Sequence, residues 1–312
     1  MPTGPDRAAH GRVIAALDVG GTVIKAGLVD PDGTVRHEER QGTGVDRGPE
    51  AVVTTIVDVA DSLVRQGGAS MVGIGVPGIV DSAAGIAHYA ANLGWRDVPF
   101  AQLIRERSGV PAVLGHDVRN GALAEARLGA GVGAGSVYFL AIGTGIAGGQ
   151  VNAGVVDDGA SGQAGEIGHL VVRPGGPPCN CGNRGCLEAV ASASRIASTY
   201  RALTGTEASA AEVAQLVASG DETAGAVWTD AVDALADALA AQVVLADPGC
   251  IVIGGGLSLA GPTLFDPLGA ALPPRLTFRS PPPIRPALLG DRAGLVGAAL
   301  RVWDRLGDGP AA

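Results

Sequence analysis

The chain has 312 residues and a formal net charge of −9, so it is long enough for two domains with hydrophobic cores. The acidic balance argues against a nucleic-acid partner, because proteins that bind nucleic acid usually carry a basic face. The apolar stretch around 231–247 carries Asp233 and Asp237 at helical spacing, which predicts an amphipathic core helix rather than a membrane span. We therefore expect a protein that binds neither nucleic acid nor membranes.

The start of the chain and its cysteines indicate the compartment. Residues 1–12 are polar and lack the apolar core of a secretory signal, so we expect them to form a flexible arm. Three of the four cysteines are crowded into 179–186, which is unlike a disulfide framework. Together these features predict a cytoplasmic protein with a metal site.

The first half of the chain reads as a hairpin followed by a helix and a strand. Two β-rich runs within 13–29 are joined by a glycine turn. A turn at 31–33 leads to a third strand at 34–40. A helical pattern then covers 49–65, and an apolar strand at 71–78 ends in glycines.

The second half repeats this order. We expect a strand, a glycine turn, a returning strand and a second turn at 136–142, 143–149, 150–156 and 157–159. A short β-like segment, three helices and a strand follow at 169–173, 188–203, 210–219, 223–245 and 250–256. A repeat of this length predicts an α/β fold of two duplicated domains that face each other across a cleft.

The domain boundaries follow from this repeat. We expect an N-terminal α/β domain at 13–117 and a larger C-terminal α/β domain at 118–301 that contains the cysteine-rich loop. The last helix can pack back on the N-terminal domain, and residues 302–312 form a tail.

The motif Gly143-x-Gly145-x-x-Gly148 has the spacing of a dinucleotide-binding fingerprint. That fingerprint requires a helix directly after its glycines, because the pyrophosphate binds at the helix N-terminus. The residues after Gly149 alternate and turn without a helical period. The motif therefore predicts strand, turn and strand, and an NAD-dependent dehydrogenase is disfavoured.

Two glycine turns, one in each half, can hold phosphate groups. A turn without side chains lets backbone N–H groups approach phosphate oxygens, and the hydroxyls of Thr22 and Thr144 occupy matching places as further donors. Asp18, beside the first turn, can hold a Mg²⁺-bound phosphate or its water shell. It can equally satisfy the amides of its own turn, and the residues alone leave both interpretations open.

Three thiolates and one imidazole are available for a tetrahedral Zn²⁺ site, from Cys179, Cys181, Cys186 and His169. All four positions would be filled by protein, so the site would be structural rather than catalytic. The alternative is a glycine-rich loop with three unpaired thiols. Cys250 lies in an apolar strand and is most simply a core residue.

Several motifs, in this order, resemble those of ROK-family sugar kinases over about 13–301. They are Asp18-Val-Gly-Gly-Thr22 with Lys25, Gly75-Val-Pro-Gly78, Asn92-Leu-Gly-Trp95, Gly143-Thr-Gly-Ile-Ala-Gly-Gly149, Gly165-Glu-Ile-Gly-His169 and Cys179-Asn-Cys-Gly-Asn-Arg-Gly-Cys-Leu-Glu188. The resemblance implies duplicated actin/hexokinase-like (ribonuclease H-like) domains flanking a cleft. It also implies Mg-ATP as the donor and a hexose as the acceptor.

Asp117 follows a predicted strand and precedes an alanine-rich helix. By itself it could be a general base or the N-cap of that helix, and the resemblance implies the base. The family usually has Asn-Asp where this chain has His116-Asp117, which puts the identity of the sugar in doubt because that neighbour can contact an acceptor hydroxyl. His169 can serve both the zinc and the sugar through its two ring nitrogens.

The resemblance extends to two sets of ligand contacts. The sugar contacts would be Gly78, Asn92, His116, Asp117, Glu166, His169 and Glu188. The nucleotide and phosphate contacts would be Asp18, Gly20, Gly21, Thr22, Lys25, Gly143, Thr144, Gly145, Gly254, Gly255 and Gly256.

We therefore expect an ATP-dependent hexose kinase that phosphorylates the 6-hydroxyl of glucose, as a homodimer or homotetramer. The alternatives are a kinase of N-acetylglucosamine or N-acetylmannosamine, or a sugar-binding regulator without catalysis. Repressors of the family carry an N-terminal helix-turn-helix domain, and only residues 1–12 precede the first predicted strand.

Overall fold

The computed structural model describes residues 13–307. The arm expected at 1–12 lies outside the described residues. Of the tail expected at 302–312, residues 302–306 are instead part of the last helix, and residues 308–312 lie outside the described residues. The chain divides into two compact units. Within the described residues, unit 1 contains 13–127, 158–163 and 292–307, and unit 2 contains 128–157 and 164–291.

The elements are numbered in chain order. The strands are β1 (Ile14–Val19), β2 (Val23–Val29), β3 (Val35–Gly42), β4 (Val72–Val76), β5 (Ile79–Asp81), β6 (Ile86–Tyr89), β7 (Arg96–Val98), β8 (Ala112–His116), β9 (Ser136–Ile142), β10 (Ile146–Asn152), β11 (Val155–Val156), β12 (Cys250–Gly254) and β13 (Ile284–Pro286). The helices are α1 (Pro49–Gly67), α2 (Phe100–Ser108), α3 (Asp117–Leu128), α4 (Glu188–Ala191), α5 (Ala193–Thr204), α6 (Ala210–Ala218), α7 (Glu222–Ala246), α8 (Pro262–Ala271) and α9 (Ala293–Leu306).

Unit 1 is built on a five-stranded sheet in the order β3-β2-β1-β4-β8. Strand β1 is buried on both faces: Ala15 and Leu17 belong to the core that includes α1, whereas Ile14 and Ala16 pack with α9. A sheet covered on both faces needs a continuous apolar run instead of alternation, which explains the composition of this strand. A separate sheet of β5, β6 and β7 completes the unit.

Helix α1 illustrates how local sequence sets an element. Pro49 occupies the first turn, where its missing N–H is not needed, and Gly68 ends the helix in the left-handed conformation with φ 63°. Between them, apolar side chains recur at helical spacing and are fully buried, namely Val52, Ile56, Ala60 and Leu63.

Unit 2 has the same plan. Its sheet has the order β11-β10-β9-β12-β13, in which an antiparallel hairpin is followed by parallel strands as in unit 1. The long helix α7 lies in the core that covers this sheet. The duplicated α/β fold of the actin/hexokinase-like (ribonuclease H-like) type predicted from the sequence is confirmed.

The division of the chain differs from the expected boundary after Asp117. Helix α3 stays with unit 1, because Arg127 forms two hydrogen bonds with Asp304 of α9, at 2.6 and 3.0 Å. Residues 158–163 also belong to unit 1, where Asp158 pairs with Arg301 of α9. Helix α9 itself packs on β1 and β4 within this unit.

Several predicted elements differ in detail. The returning strand begins at Ile146, within the expected turn, and ends before a turn that precedes β11. The helix expected at 188–203 is interrupted at Ser192, whose extended backbone and side-chain hydrogen bond to the N–H of Arg195 start α5. The expected β-like segment at 169–173 contains only the isolated bridge between Val171 and Cys186. Within 13–307, no helix combines the length and the apolar character that crossing a membrane requires.

Candidate active site and metal centre

The carboxyl ends of β1, β4 and β8 lie side by side in unit 1. Asp18 pairs in register with Gly75, and Gly75 pairs with Gly115. Asp117 follows Gly115 by two residues, at the start of α3. Open α/β sheets bind ligands at the carboxyl ends of their strands. Asp18 and Asp117 therefore occupy the edge at which chemistry is expected.

Asp18 is held by two neighbours within unit 1. Its carboxylate lies 3.4 Å from the Nζ of Lys25, its register partner on β2. Gly294, in the first turn of α9, is also close: a Cβ at that glycine would lie 2.5 Å from the Oδ1 of Asp18. A helix N-terminus stabilises a nearby anion. The N–H of Gly20 in the turn is donated to the carbonyl of Val23, so that amide does not depend on Asp18.

Thr43 braces the first glycine turn. Its N–H donates to the carbonyl of Thr22 at 2.9 Å, and its hydroxyl donates to the carbonyl of Gly20 at 2.9 Å. Thr43 is fully buried. Its role was not predicted from the sequence, because a lone threonine after a strand carries no recognisable signal.

Asn92 and Gly78, both expected to contact sugar, are also in unit 1. The Nδ2 of Asn92 lies 3.2 Å from the position of a Cβ at Gly21, so its side chain sits against the first glycine turn. Gly78 has φ 89°, and a Cβ there would lie 2.0 Å from the carbonyl oxygen of Tyr89. Close chain packing therefore accounts for this glycine without a ligand.

The environment of Asp117 suits a base. Burial raises the pKa of Asp117 to about 6, against the opposing effects of the Val118 N–H and the charges of Arg119 and Lys25. The side chain of Asp117 is still 25% exposed to solvent. Its Oδ1 accepts the N–H of Val118 at 2.7 Å and lies 3.0 Å from the Nδ1 of His116. An N-cap side chain bonds to an amide two or three residues further on, so this is not capping geometry.

A buried ion network fixes the start of α3. Arg119 is fully buried, with its Nε 2.9 Å from Asp158 and its Nη2 donating to the carbonyl of Gly162 at 2.9 Å. Arg301 donates twice to Asp158, at 2.8 Å each, and once to Asn120 at 2.6 Å. Burial opposes ionisation of Asp158, but Arg301 and Arg119 hold its pKa below the ordinary value. The sequence gives no signal for this network, since its members are far apart along the chain.

The second glycine turn, in unit 2, is tied to Glu188. The N–H of Gly143 donates to the carbonyl of Gly145 at 2.9 Å, which leaves Thr144 alone at the tip. The Oε2 of Glu188 accepts the N–H of Ile146 at 3.0 Å and would lie 2.6 Å from a Cβ at Gly145. Gly145 is therefore needed for the approach of this carboxylate, and Glu188 holds the turn.

The glycines at the end of β12 meet the same turn. Gly255 has φ 80°, and a Cβ there would lie 2.4 Å from the carbonyl oxygen of Ile142, the residue before Gly143. A Cβ at Gly254 would lie 2.9 Å from the ring of Phe139. Unit 2 thus brings together the two glycine segments, including Gly256, that were expected to contact the nucleotide.

The motif from Gly165 to His169 packs on β10. A Cβ at Gly165, which has φ 93°, would lie 2.1 Å from the carbonyl oxygen of Gly148. A Cβ at Gly168 would lie 2.1 Å from another carbonyl oxygen of the same strand. Both glycines let this segment approach β10 and place Glu166, whose side chain is 39% exposed and 3.9 Å from the Nε2 of His169.

The four expected metal ligands converge. One ligand atom from each of His169, Cys179, Cys181 and Cys186 lies within 4.8 Å of all the others. The Sγ atoms of Cys181 and Cys186 are 3.7 Å apart, as are the Sγ of Cys179 and the Nδ1 of His169. Tetrahedral Zn²⁺ with bonds of about 2.3 Å places its thiolate ligands about 3.8 Å apart, so the donor set fits Zn²⁺.

Electrostatics favours a cation at this cluster. Burial, followed by the neighbouring thiols, raises the pKa of Cys186 to about 12. Three adjacent thiolates repel one another unless a metal offsets their charge. His169 presents Nδ1 to Cys179 and Nε2 to Glu166, which suits a residue with one nitrogen on the metal and the other towards a substrate.

Ion pairs attach the segment before the cysteine loop to α7. Arg173 donates to Asp237 at 2.7 Å and to Asp230 at 3.1 Å. Arg275 donates to Asp237 at 2.6 Å and to Asp233 at 3.0 Å. The two aspartates that marked this stretch as amphipathic thus have partners.

Comparisons with known proteins agree with these features. The sequence model of the ROK family matches residues 14–305. A glucokinase of Thermotoga maritima is 35% identical over 311 residues, which cover 94% of this chain and 98% of that protein. The ROK hexokinase of Thermus thermophilus has a structure with a TM-score of 0.85 and 35% identity, covering 95% of this chain and 100% of that one.

A complex is also among the similar structures. A ROK family glucokinase from Streptomyces griseus, in complex with glucose and AMPPNP, is 30% identical with a TM-score of 0.79, covering 92% of this chain and 98% of that one. The resemblance drawn from the motifs is therefore confirmed over nearly the whole described chain. The chain belongs to the ROK family.

Proposed function

We propose that this protein is an ATP-dependent hexose kinase that transfers the γ-phosphoryl group of ATP to the 6-hydroxyl of glucose. The observation that carries the proposal is Asp117, a mostly enclosed carboxyl at the carboxyl end of β8 with a pKa raised to about 6. A general base works best with a pKa near the operating pH. The similarity to glucokinases over more than nine-tenths of the chain supports the sugar and the donor.

Asp117 would take the proton of the attacking hydroxyl. The O–H bond of the sugar breaks, its proton moves to Asp117, the oxygen bonds to the γ-phosphorus, and the bond to ADP breaks. Such a transfer needs positioning and charge stabilisation more than covalent help. The buried Arg119 network supports this role, because it fixes the helix that begins at Asp117.

The phosphates would be held by the glycine turns. In unit 1 the backbone from Gly20 to Thr22 lies beside Asp18 and Lys25, and in unit 2 the turn from Gly143 to Gly145 lies beside the end of β12. Asp18 would hold Mg²⁺ or its water shell, and the ion would neutralise charge on the phosphates. Lys25 would act as a point charge towards a phosphate oxygen.

We assign the sugar hydroxyls to Asn92 in unit 1 and to Glu166, His169 and Glu188 in unit 2. Paired donors and acceptors suit a polyol, because a buried polar group left without a partner rejects the wrong ligand. Zn²⁺ on the cysteine loop would fix the position of His169. The metal would supply structure there and would take no part in the transfer.

The test is ADP release by the purified protein with Mg-ATP and one of glucose, mannose, fructose, N-acetylglucosamine or N-acetylmannosamine. Strong turnover with glucose above the others is expected. Turnover with an N-acetylated sugar alone would move the substrate assignment to that sugar. Folded, zinc-loaded protein that binds a sugar but releases no ADP with any of them would overturn the kinase and indicate a regulator.

We further propose that the enzyme works in the cytoplasm as a homodimer or homotetramer. Unbridged cysteines suit a reducing compartment. Large apolar side chains such as Leu245 and Phe278 are 83% and 71% exposed, which suits association of copies. Light scattering after size exclusion would test the oligomer, and a monomeric mass at micromolar concentration would contradict it.

A further inference from the structure

His116 lies directly against the proposed base. The residue is buried, with 5% exposure, at the end of β8. Its Nδ1 is 3.0 Å from the Oδ1 of Asp117. That contact concerns the base itself, whereas the resemblance to the family gave His116 only a possible role as a sugar contact.

The chemistry of the two atoms requires a proton between them. An unprotonated ring nitrogen and a carboxylate oxygen are both acceptors and repel at hydrogen-bond distance. The amide nitrogen of Val118 is within hydrogen-bond distance of both atoms, 2.7 Å from the Oδ1 of Asp117 and 3.2 Å from the Nδ1 of His116. A proton on Nδ1 gives up the longer of these two hydrogen bonds and makes the 3.0 Å contact between Nδ1 and Oδ1 a hydrogen bond to the carboxylate.

We infer that His116 is a positioning residue for Asp117, whose Oδ1 accepts the Nδ1–H of His116 so that Oδ2 faces the proton of the sugar hydroxyl. This inference rests on the proposed kinase function. Two donors, His116 and the Val118 N–H, then converge on one oxygen of the base. The other oxygen becomes the one that reacts.

Other charged groups also act on Asp117 or lie in the elements next to it. Arg119 on α3 and Lys25 on β2 act on Asp117 and favour its ionised form. In the neighbouring elements, Asp81 of β5 accepts N–H groups of its own turn, and Arg301 of α9 is paired with Asp158. His116 is in direct contact with the carboxylate of Asp117. Its hydrogen-bond donor can be removed by substitution without changing a formal charge.

The predicted consequence appears in the pH dependence of turnover. A donated hydrogen bond favours the carboxylate form, so removing it disfavours ionisation and moves the acidic limb of kcat to higher pH. In His116→Leu we expect this limb to rise by about one pH unit and the plateau of kcat to fall about tenfold, with KM for glucose changed less than about threefold.

Two matched variants separate positioning from bulk. The amide nitrogen of asparagine can occupy the place of Nδ1, whereas that of glutamine corresponds to Nε2. His116→Asn should therefore keep the acidic limb near that of the natural protein, and His116→Gln should behave like His116→Leu. If His116→Leu leaves the limb in place and raises only KM for glucose, His116 is a sugar contact and the inference is wrong.

A measurement without turnover keeps this test separate from that of the kinase. Nitrogen-15 NMR of the His116 ring reports directly which nitrogen is protonated. A proton on Nδ1 at pH 7.5, with that resonance changed in Asp117→Asn, is expected. A ring protonated on Nε2 alone would overturn the inference even in a fully active kinase. Absence of ADP release with every sugar would overturn the proposed function, and with it the role of Oδ2 towards a sugar, but would leave the hydrogen bond between His116 and Asp117 in place.

Discussion

The two units share a frame and differ in the charges placed on it. In each, a hairpin with a glycine turn is followed by parallel strands in the same sheet order. The second-last residue pair before the turn is Asp18 opposite Lys25 in unit 1 and Ala141 opposite Ala147 in unit 2. Counted between the last paired residues of each hairpin, the turn has four residues in unit 1 and three in unit 2. The turn backbone that can hold phosphate is thus present in both units, whereas the pair of Asp18 and Lys25 is present in unit 1.

The two units also differ after the last strand of each sheet order, β8 in unit 1 and β13 in unit 2. Strand β8 leads directly into α3 through Asp117, whereas β13 is followed by the chain that returns to unit 1 as α9. Unit 2 has instead the cysteine cluster, and its glycine turn is held by Glu188, whose carboxylate accepts the N–H of Ile146. We therefore assign the reacting groups to unit 1 and a holding role to unit 2, and each prediction below tests that division.

Loss of zinc should have the largest effect and should fall on unit 2. Elemental analysis should find about one Zn²⁺ per chain, and its removal should lower the free energy of unfolding of unit 2 by on the order of 5 kcal/mol. Cys186→Ala should lose the metal, whereas Cys250→Ala, outside the cluster, should keep it. Metal-free protein with unchanged thermal unfolding would contradict the site.

Asp18→Asn should lower kcat about 10²–10³-fold, because it removes the charge that orients the metal-bound phosphate. Thermal unfolding should shift little, since the amide is isosteric. Asp32→Asn, at an exposed turn of the same unit, is the matched control and should behave like the natural protein. Activity of Asp18→Asn within threefold of that control would reduce Asp18 to a packing role.

The raised pKa of Asp117 predicts a stability cost. Its pKa in the folded protein is about 6 against an ordinary value of 3.8, so the folded state loses stability as pH rises through that interval. Asp117→Asn lacks this loss and should be more stable than the natural protein at pH 7 by about 3 kcal/mol. The difference should vanish near pH 3.5, below both values. Denaturation by urea at both pH values measures it, and a destabilised variant at pH 7 would show that burial is not what raises the pKa.

Two alanine substitutions in the second turn separate packing from phosphate contact. Gly145→Ala must displace the Glu188 carboxylate, so it should lower stability by about 1 kcal/mol and raise KM for Mg-ATP about tenfold. Among residues 13–307, no atom other than those of its two chain neighbours lies within 4 Å of a Cβ at Gly143, so Gly143→Ala should raise KM with thermal unfolding unchanged. Equal destabilisation by both would argue that the turn is held by something other than Glu188.

Local patterns made much of the fold predictable. The hairpin turns, the helix that begins at Pro49 and the apolar strands each follow from a few adjacent residues. The ligand set of the cysteine loop was also predictable, because three of its members lie within residues 179–186 and glycines let them converge. The family resemblance supplied the role of Asp117, since the residues alone allowed capping equally well.

Long-range contacts account for what was missed. Asp158 pairs with Arg119 and Arg301, which are far from it in the chain. No periodic pattern in the sequence indicates such a pairing. The break at Ser192 depends on a side chain that caps α5 in place of continuing α4. The small sheet of β5, β6 and β7 has strands of only three or four residues, too short to show a pattern.

The measurement that tests the division most directly is the kinetics of Asp117→Asn with glucose and Mg-ATP, together with glucose binding by calorimetry. With the base in unit 1, kcat should fall about 10³-fold while the dissociation constant of glucose changes less than about threefold. Turnover within tenfold of the natural protein, with glucose still bound, would mean that the proton goes elsewhere and that the reacting groups are not confined to unit 1.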